Sequence, residues 1–253
     1  MDKPTEAALR EFLFAFADDE HLMGQQHTEW IGVAPFLEED LAFSSIGQDE
    51  LGHAVMLYEL VCELDGVEPT DAAIDALAYG RGAAEYRSCS LVEYTTTNWA
   101  EALVRHWIYD TLEAMRWSLV AESTYQPLAE LSARVAGEER YHLRHADALL
   151  DGLMADPAAR AKCHEALDEL QADVLRVCPE AGDERELVKA GILSEFHHTL
   201  MDPLRGAIEA RFDWSFGPID LVAYSRGSKR SEHFGPLMAR MREVLDLDPS
   251  AAW

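Results

Sequence analysis

With 253 residues, a formal charge of −26 and 48% hydrophobic content, the chain is long enough for one large domain with a substantial core. So acidic a balance excludes nucleic-acid binding through a broad basic surface and favours partners that present positive patches. The sequence shows no apolar run of about eighteen residues or more, no basic N-terminal region leading into an apolar stretch, and no C-x-x-C among Cys62, Cys89, Cys163 and Cys178, so a cytoplasmic protein with reduced thiols and no membrane span is expected.

Apolar residues at steps of three and four predict a first helix over about 5–32, with Phe12, Phe16, Glu20, Met23 and His27 in line. A second helix starts near Pro35 and runs to about Leu64. Its inward stripe holds Phe43, Ile46, Glu50, His53 and Leu57, and Asp65-Gly66 and Pro69 end it. A short helix over 71–78 and a long connection through Gly80-Arg81-Gly82 follow. The third long helix spans 98–123 with Asn98 as N-cap, and Trp99, Leu103, His106, Asp110, Glu113 and Trp117 share a face. Pro127 opens the fourth, to about Met154, with Leu131, Val135, Glu139, His142 and Ala146 inward. Two further amphipathic segments lie over 158–177 and 184–212, the second kinked or broken at Pro203. After the irregular Gly217-Pro218, Pro236 opens a last short helix to about Leu245. The predicted fold is all-α: a ferritin-like four-helix bundle with a crossover connection and a helical C-terminal extension. One domain is expected over 1–253, with its core over about 5–155 and the extension over about 156–253.

Two E-x-x-H segments carry the chemistry: Glu50-Leu51-Gly52-His53 and Glu139-Arg140-Tyr141-His142. On a helix, each puts a carboxylate and an imidazole on one face. Glu20 precedes Glu50 by 30 residues and Glu113 precedes Glu139 by 26, so the order Glu, E-x-x-H occurs twice. Four carboxylates and two histidines with no thiolate suit two iron ions, with manganese as the alternative metal. The candidate ligands are Glu20, Glu50, His53, Glu113, Glu139 and His142; Asp110, one turn before Glu113, is the alternative acid on its helix. Asp49 and Glu138 directly precede the two motif glutamates and are candidates, with Asp110, for orienting the ligand histidines. A lone E-x-x-H is a weak signal, and the solvated or packed reading applies to His21, His27, His106, His145, His164 and His197-His198. Trp107, Tyr109, Trp117 and Tyr141 are read as helix core or as cavity lining. Arg226, Lys229 and Arg230 form the one local basic cluster, either solvated or meeting a phosphate or an acidic partner.

The chain resembles the ferritin-like subunits of the bacterial phenylacetyl-CoA epoxidase, most closely the structural subunit, over nearly its whole length. The stretches that carry this are Glu29-Trp30, Ala34-Pro35, Glu38-Glu39-Asp40-Leu41-Ala42, Ile46-Gly47, Leu51-Gly52, Arg140-Tyr141-His142-Leu143-Arg144 and Glu232-His233-Phe234-Gly235-Pro236. The resemblance implies a place in phenylacetate catabolism. It implies a di-iron monooxygenase in which the catalytic subunit binds an aromatic acyl-CoA, a related subunit pairs with it, and a separate reductase delivers electrons. The structural type usually lacks a full ligand set. Glu20, Glu50, His53, Glu113 and Glu139 restore it here beside His142.

Three functions follow as expectations. The first is a di-iron oxygenase component that epoxidises or hydroxylates an aromatic acyl-CoA. The second is a non-catalytic scaffold of such a complex, as a homodimer or beside a related subunit. The third is a ferritin-type iron-binding protein, against which the long C-terminal extension speaks.

Overall fold

The computed structural model describes residues 1–219, 226 and 230–248, and among them the chain is all-helical, as a ferritin-like helical bundle requires. α1 (Lys3–Thr28) begins where Asp2 accepts the Thr5 N–H at 3.0 Å and Pro4 occupies the first turn, which tolerates its missing N–H. α2 (Leu37–Leu64) runs back against it. The pair is antiparallel: Arg10 reaches Asp65, Asp18 reaches Tyr58, and Gly24 lies against Gly47. That last approach is tight. A Cβ on Gly47 would stand 3.1 Å from the Gly24 carbonyl oxygen, and one on Gly24 2.9 Å from Leu51 Cγ. The two glycines therefore draw the helices together one turn from Glu20 and Glu50.

α3 (Asp71–Tyr79), a 3₁₀ turn (Ala83–Glu85) and α4 (Ser90–Glu93) carry the chain across to a second hairpin, α5 (Trp99–Val120) and α6 (Gln126–Met154). Asn98 caps α5 by accepting the Glu101 N–H at 3.1 Å, and Pro127 sits in the first turn of α6. Cross-contacts make this pair antiparallel too, since the Trp107 indole donates to Asp147 and the Ser132 hydroxyl donates to the Trp117 carbonyl. Leu9, Leu13, Phe43, Leu57, Leu103, Leu112, Leu128 and Val135 are fully buried between the hairpins and their neighbours.

The C-terminal part follows as α7 (Pro157–Val174), α8 (Glu184–Lys189), a 3₁₀ turn (His197–Leu200), α9 (Met201–Phe212), α10 (Phe234–Met241) and α11 (Glu243–Leu247). α7 and α9 pack on α5, and α8 packs on α1. The helix expected over 184–212 breaks before Pro203. Gly191 adopts φ +71° just after α8, and Pro203 lies in the first turn of α9, where proline fits. No described helix is long and apolar enough to cross a membrane.

Candidate metal centre

α1 supplies Glu20, α2 Glu50 and His53, α5 Glu113, and α6 Glu139 and His142; all six are buried. Glu20, His53 and Glu139 offer ligand atoms that all lie within 4.8 Å of one another, and so do Glu20, Glu50 and Glu113. Glu20 is common to both sets. His53 Nδ1 stands 3.4 Å from Glu20 Oε2 and 3.2 Å from Glu139 Oε1, and His142 Nδ1 stands 4.0 Å from Glu50 Oε1. These approaches lack hydrogen-bond alignment. Both oxygens of all four glutamates, and Nδ1 of both histidines, have no hydrogen-bond partner.

The far edge of each imidazole is held. His53 Nε2 lies 2.9 Å from Glu138 Oε2, and His142 Nε2 lies 3.1 Å from Asp49 Oδ2. Each acid belongs to the opposite hairpin from its histidine. A carboxylate at Nε2 fixes a proton there and turns the Nδ1 edge toward the glutamates.

Buried polar atoms are normally paired, and carboxylates buried without counter-charge are costly. The orphaned oxygens and nitrogens converge here, so the donor set fits two divalent cations whose charge four carboxylates would balance. The side chains by themselves share protons instead. Burial, with the Glu20 and Glu139 charges, pushes Glu50 well above the usual carboxyl range. Burial and the Glu139 and Glu20 charges do the same to Glu113, and burial raises Glu139. Burial also opposes ionisation of Glu20, but its contacts with Glu113 and His53 outweigh that and hold it below the usual range. Burial disfavours a charged His53, yet the facing Glu139 and Glu20 carry it up to about 11. A cation at that position replaces the proton.

The acids flanking Glu20 point elsewhere. Asp18 accepts from Arg81, from the Tyr58 hydroxyl at 2.6 Å and from the Arg87 N–H at 2.6 Å. Asp19 takes Arg116 at 3.0 Å, Arg226 at 2.9 Å and the Cys89 N–H at 2.7 Å. This corrects the reading of the basic cluster. Arg226 is buried, and its guanidinium is spent on Asp19 and on the Val177 and Arg87 carbonyls. Arg230 donates to Glu93 and to the Ser88 carbonyl, each through Nη1. Arg226 is thus not a solvated cation awaiting an anion; Lys229 lies outside the described residues. Asp110, pushed by burial up to about 8, stands 3.1 Å from His106 Nδ1 through Oδ2 and holds neither ligand histidine.

Three histidines read as packing residues also gather on this side. His27 Nδ1 lies 4.0 Å from Glu50 Oε1, the His27 and His106 rings are 4.9 Å apart, and the His106 and His145 rings 5.8 Å. The periodicity holds the signal. His27 follows Glu20 by two turns, His106 precedes Glu113 by two turns, and His145 follows His142 by one.

A cavity of about 250 Å³ opens between α5 and α6 against Glu139, walled by Ala114, Trp117, Ala121, Ala136 and Leu143. Trp117 alone of the four aromatics singled out in the sequence lines it, packed on Phe16 and facing His53. A larger cavity of about 660 Å³ beside Asp2, Tyr125 and Lys189 touches none of the six candidate ligands, so the smaller one is the opening relevant to their chemistry.

The whole chain, residues 1–253, matches the family described as phenylacetic acid catabolic protein. It is 30% identical over 256 aligned positions to one of the subunits of the 1,2-phenylacetyl-CoA epoxidase of Escherichia coli (strain K12), covering 97% of this chain and 99% of that protein.

Proposed function

The chain belongs to the phenylacetic acid catabolic protein family, and from that premise we propose that it is a di-iron component of a phenylacetyl-CoA epoxidase-type oxygenase, competent in oxygen chemistry. The observation that carries this reading is that Glu20, Glu50, His53, Glu113 and Glu139 bring ligand atoms together in two overlapping groups, with His142 Nδ1 4.0 Å from Glu50, and that none of these inward atoms has another partner. Glu20, Glu50, Glu113 and Glu139 would hold the irons with His53 and His142. Bound iron, supplied with electrons by a separate reductase, would furnish the redox chemistry for placing one oxygen atom on an aromatic acyl-CoA.

The protein's own contribution is positional. Glu138 and Asp49 fix both imidazoles. The wall of Trp117, Ala121, Ala136 and Leu143 offers an apolar slot beside Glu139. Its volume suits an aromatic ring, since an apolar cavity of about 150 Å³ already holds benzene. Arg140 also lines this opening and is the cation placed to meet an anionic part of the substrate.

The competing reading is a scaffold beside a related ferritin-like subunit; it draws support from the E. coli relative being one subunit of an epoxidase. Iron analysis of the purified chain and of Glu50→Ala and Glu139→Ala tests the site. Two irons per chain, lost in both variants, is the expected result. Rapid oxidation of the reduced iron form by oxygen then supports the oxygenase; an inert iron form supports the scaffold. Absence of iron and manganese, with variants as stable as the parent, overturns the metal centre.

A further inference from the structure

Glu139 is 4% exposed beside an apolar wall, and the other three carboxylates are sealed from solvent. The opening beside Glu139 is mostly apolar, with Ser118, Ser132 and the cation Arg140 among its lining, so it offers a hydrated divalent cation few oxygens to replace its water and a repelling charge. The residues around Glu50 offer something different. Glu39 Oε2, at the surface end of α2, lies 3.1 Å from His145 Nε2, and both side chains are slightly exposed. From His145 the ring of His106 is 5.8 Å away, from His106 the ring of His27 is 4.9 Å away, and His27 Nδ1 reaches to 4.0 Å from Glu50. Both nitrogens of His27 and of His106, both oxygens of Asp110 and Nδ1 of His145 have no hydrogen-bond partner.

We infer that Glu39, His145, His106 and His27 form the route by which divalent cations enter the metal centre, each side chain serving as a transient ligand. The inference rests on the di-metal reading above. Packing alone does not account for the residue types. Phe43 lies in the same ring cluster, 5.0 Å from His27 and 5.2 Å from His106, and packs without orphaned polar atoms. Phenylalanine in place of each histidine would remove the desolvation cost of unpaired nitrogens. Burial holds His106 down at about 3, so its ring is neutral near pH 7 and keeps a lone pair for a metal. The mouth has the right sign, since Glu38, Glu39 and Asp40 occupy the first turn of α2 and draw cations toward His145. The partly exposed Glu138 and Asp49 do not provide the same passage, because each faces the outer edge of a ligand imidazole whose ring stands between it and the carboxylates.

The test is the rate at which metal-free full-length protein takes up Co²⁺, followed by visible absorption after rapid mixing, in the parent, His106→Phe, His145→Phe and Glu39→Gln. The ring substitutions keep the aromatic packing. The expected result is loading slowed at least tenfold in His106→Phe and His145→Phe, and less in Glu39→Gln, with the final two ions per chain unchanged. Unchanged rates in both histidine variants overturn the route. A fall in final occupancy at unchanged rate also overturns it, by making His106 or His145 a resident ligand. A parent that binds no Co²⁺ overturns the di-metal reading itself, so the two failures are distinct.

Discussion

At the scale of the residue, the candidate centre depends on which edge of each imidazole faces inward. The pairings His53 with Glu138 and His142 with Asp49 cross between hairpins, so each acid orients a candidate ligand that its own helix does not carry. Glu138→Ala and Asp49→Ala should therefore weaken metal affinity about 10–100-fold, the usual effect of losing such a partner, while circular dichroism stays that of the parent. Isothermal titration of both variants checks this, and parent-like affinity in both would remove the positioning role. The E-x-x-H spacing makes the shared face of each Glu and His pair legible, because helical periodicity alone turns residues three apart to one side. The crossed pairing is not legible as such: the sequence places Asp49 beside Glu50 and Glu138 beside Glu139, but which imidazole each meets depends on the register between hairpins. His27, His106 and His145 pass for packing residues for a related reason. Each falls in helical register with a candidate ligand, but a single histidine on an apolar face reads as packing until three helices bring such residues together.

At the scale of the element, the long helices follow the sequence closely because their ends carry local signals: Asp2 and Asn98 as caps, Pro127 in a first turn. Where the reading fails, helical periodicity alone does not announce the outcome. The amphipathic pattern continues across Gly191, so nothing periodic announces the break between α8 and α9. Arg226 looks solvated in sequence because its partner Asp19 lies 207 residues away. In the fold that pair ties the C-terminal part to α1 one residue from Glu20, while Arg116 ties the same carboxylate to α5. Removing one cation from a buried, shared pair leaves unbalanced charge in the core, at a cost of about 3–5 kcal/mol. Arg226→Ala should lose stability of this order in urea, far more than Arg185→Ala, whose partner Asp183 is solvent-exposed. Equal losses in the two variants would show that Arg226 does not tie the C-terminal part to α1.

At the scale of the whole molecule, the carboxylates that would bind metal are also a defect in the protein's stability. Glu50, Glu113 and Glu139 are all raised, and Asp110 reaches about 8. Between the unfolded-chain values and these, the folded protein holds more protons than the unfolded chain. Their contribution to stability is thus complete at low pH and is lost as pH rises, across roughly pH 4–8 for Asp110. His53, raised to about 11, acts in the same direction, its contribution complete below about 6.5 and lost as pH approaches 11. Glu20, lowered, runs the other way and loses its contribution as the solution turns acid. Cations replace the shared protons, so metal affinity should rise with pH while the metal-free protein weakens. The gap in Tm between metal-loaded and chelator-treated protein should therefore widen from pH 5 to pH 8, and a gap that narrows would contradict the sharing of protons. Glu113→Leu separates the two roles of the site. It removes a buried acid whose desolvation outweighs its one favourable contact, with Glu20, in the metal-free core, so the metal-free variant should melt above the metal-free parent, as replacing buried charge by apolar volume often allows. The same variant should bind metal poorly and gain little Tm from it. A variant that melts lower in the metal-free state, or still gains as much from metal as the parent, would mean that Glu113 serves packing rather than the ions.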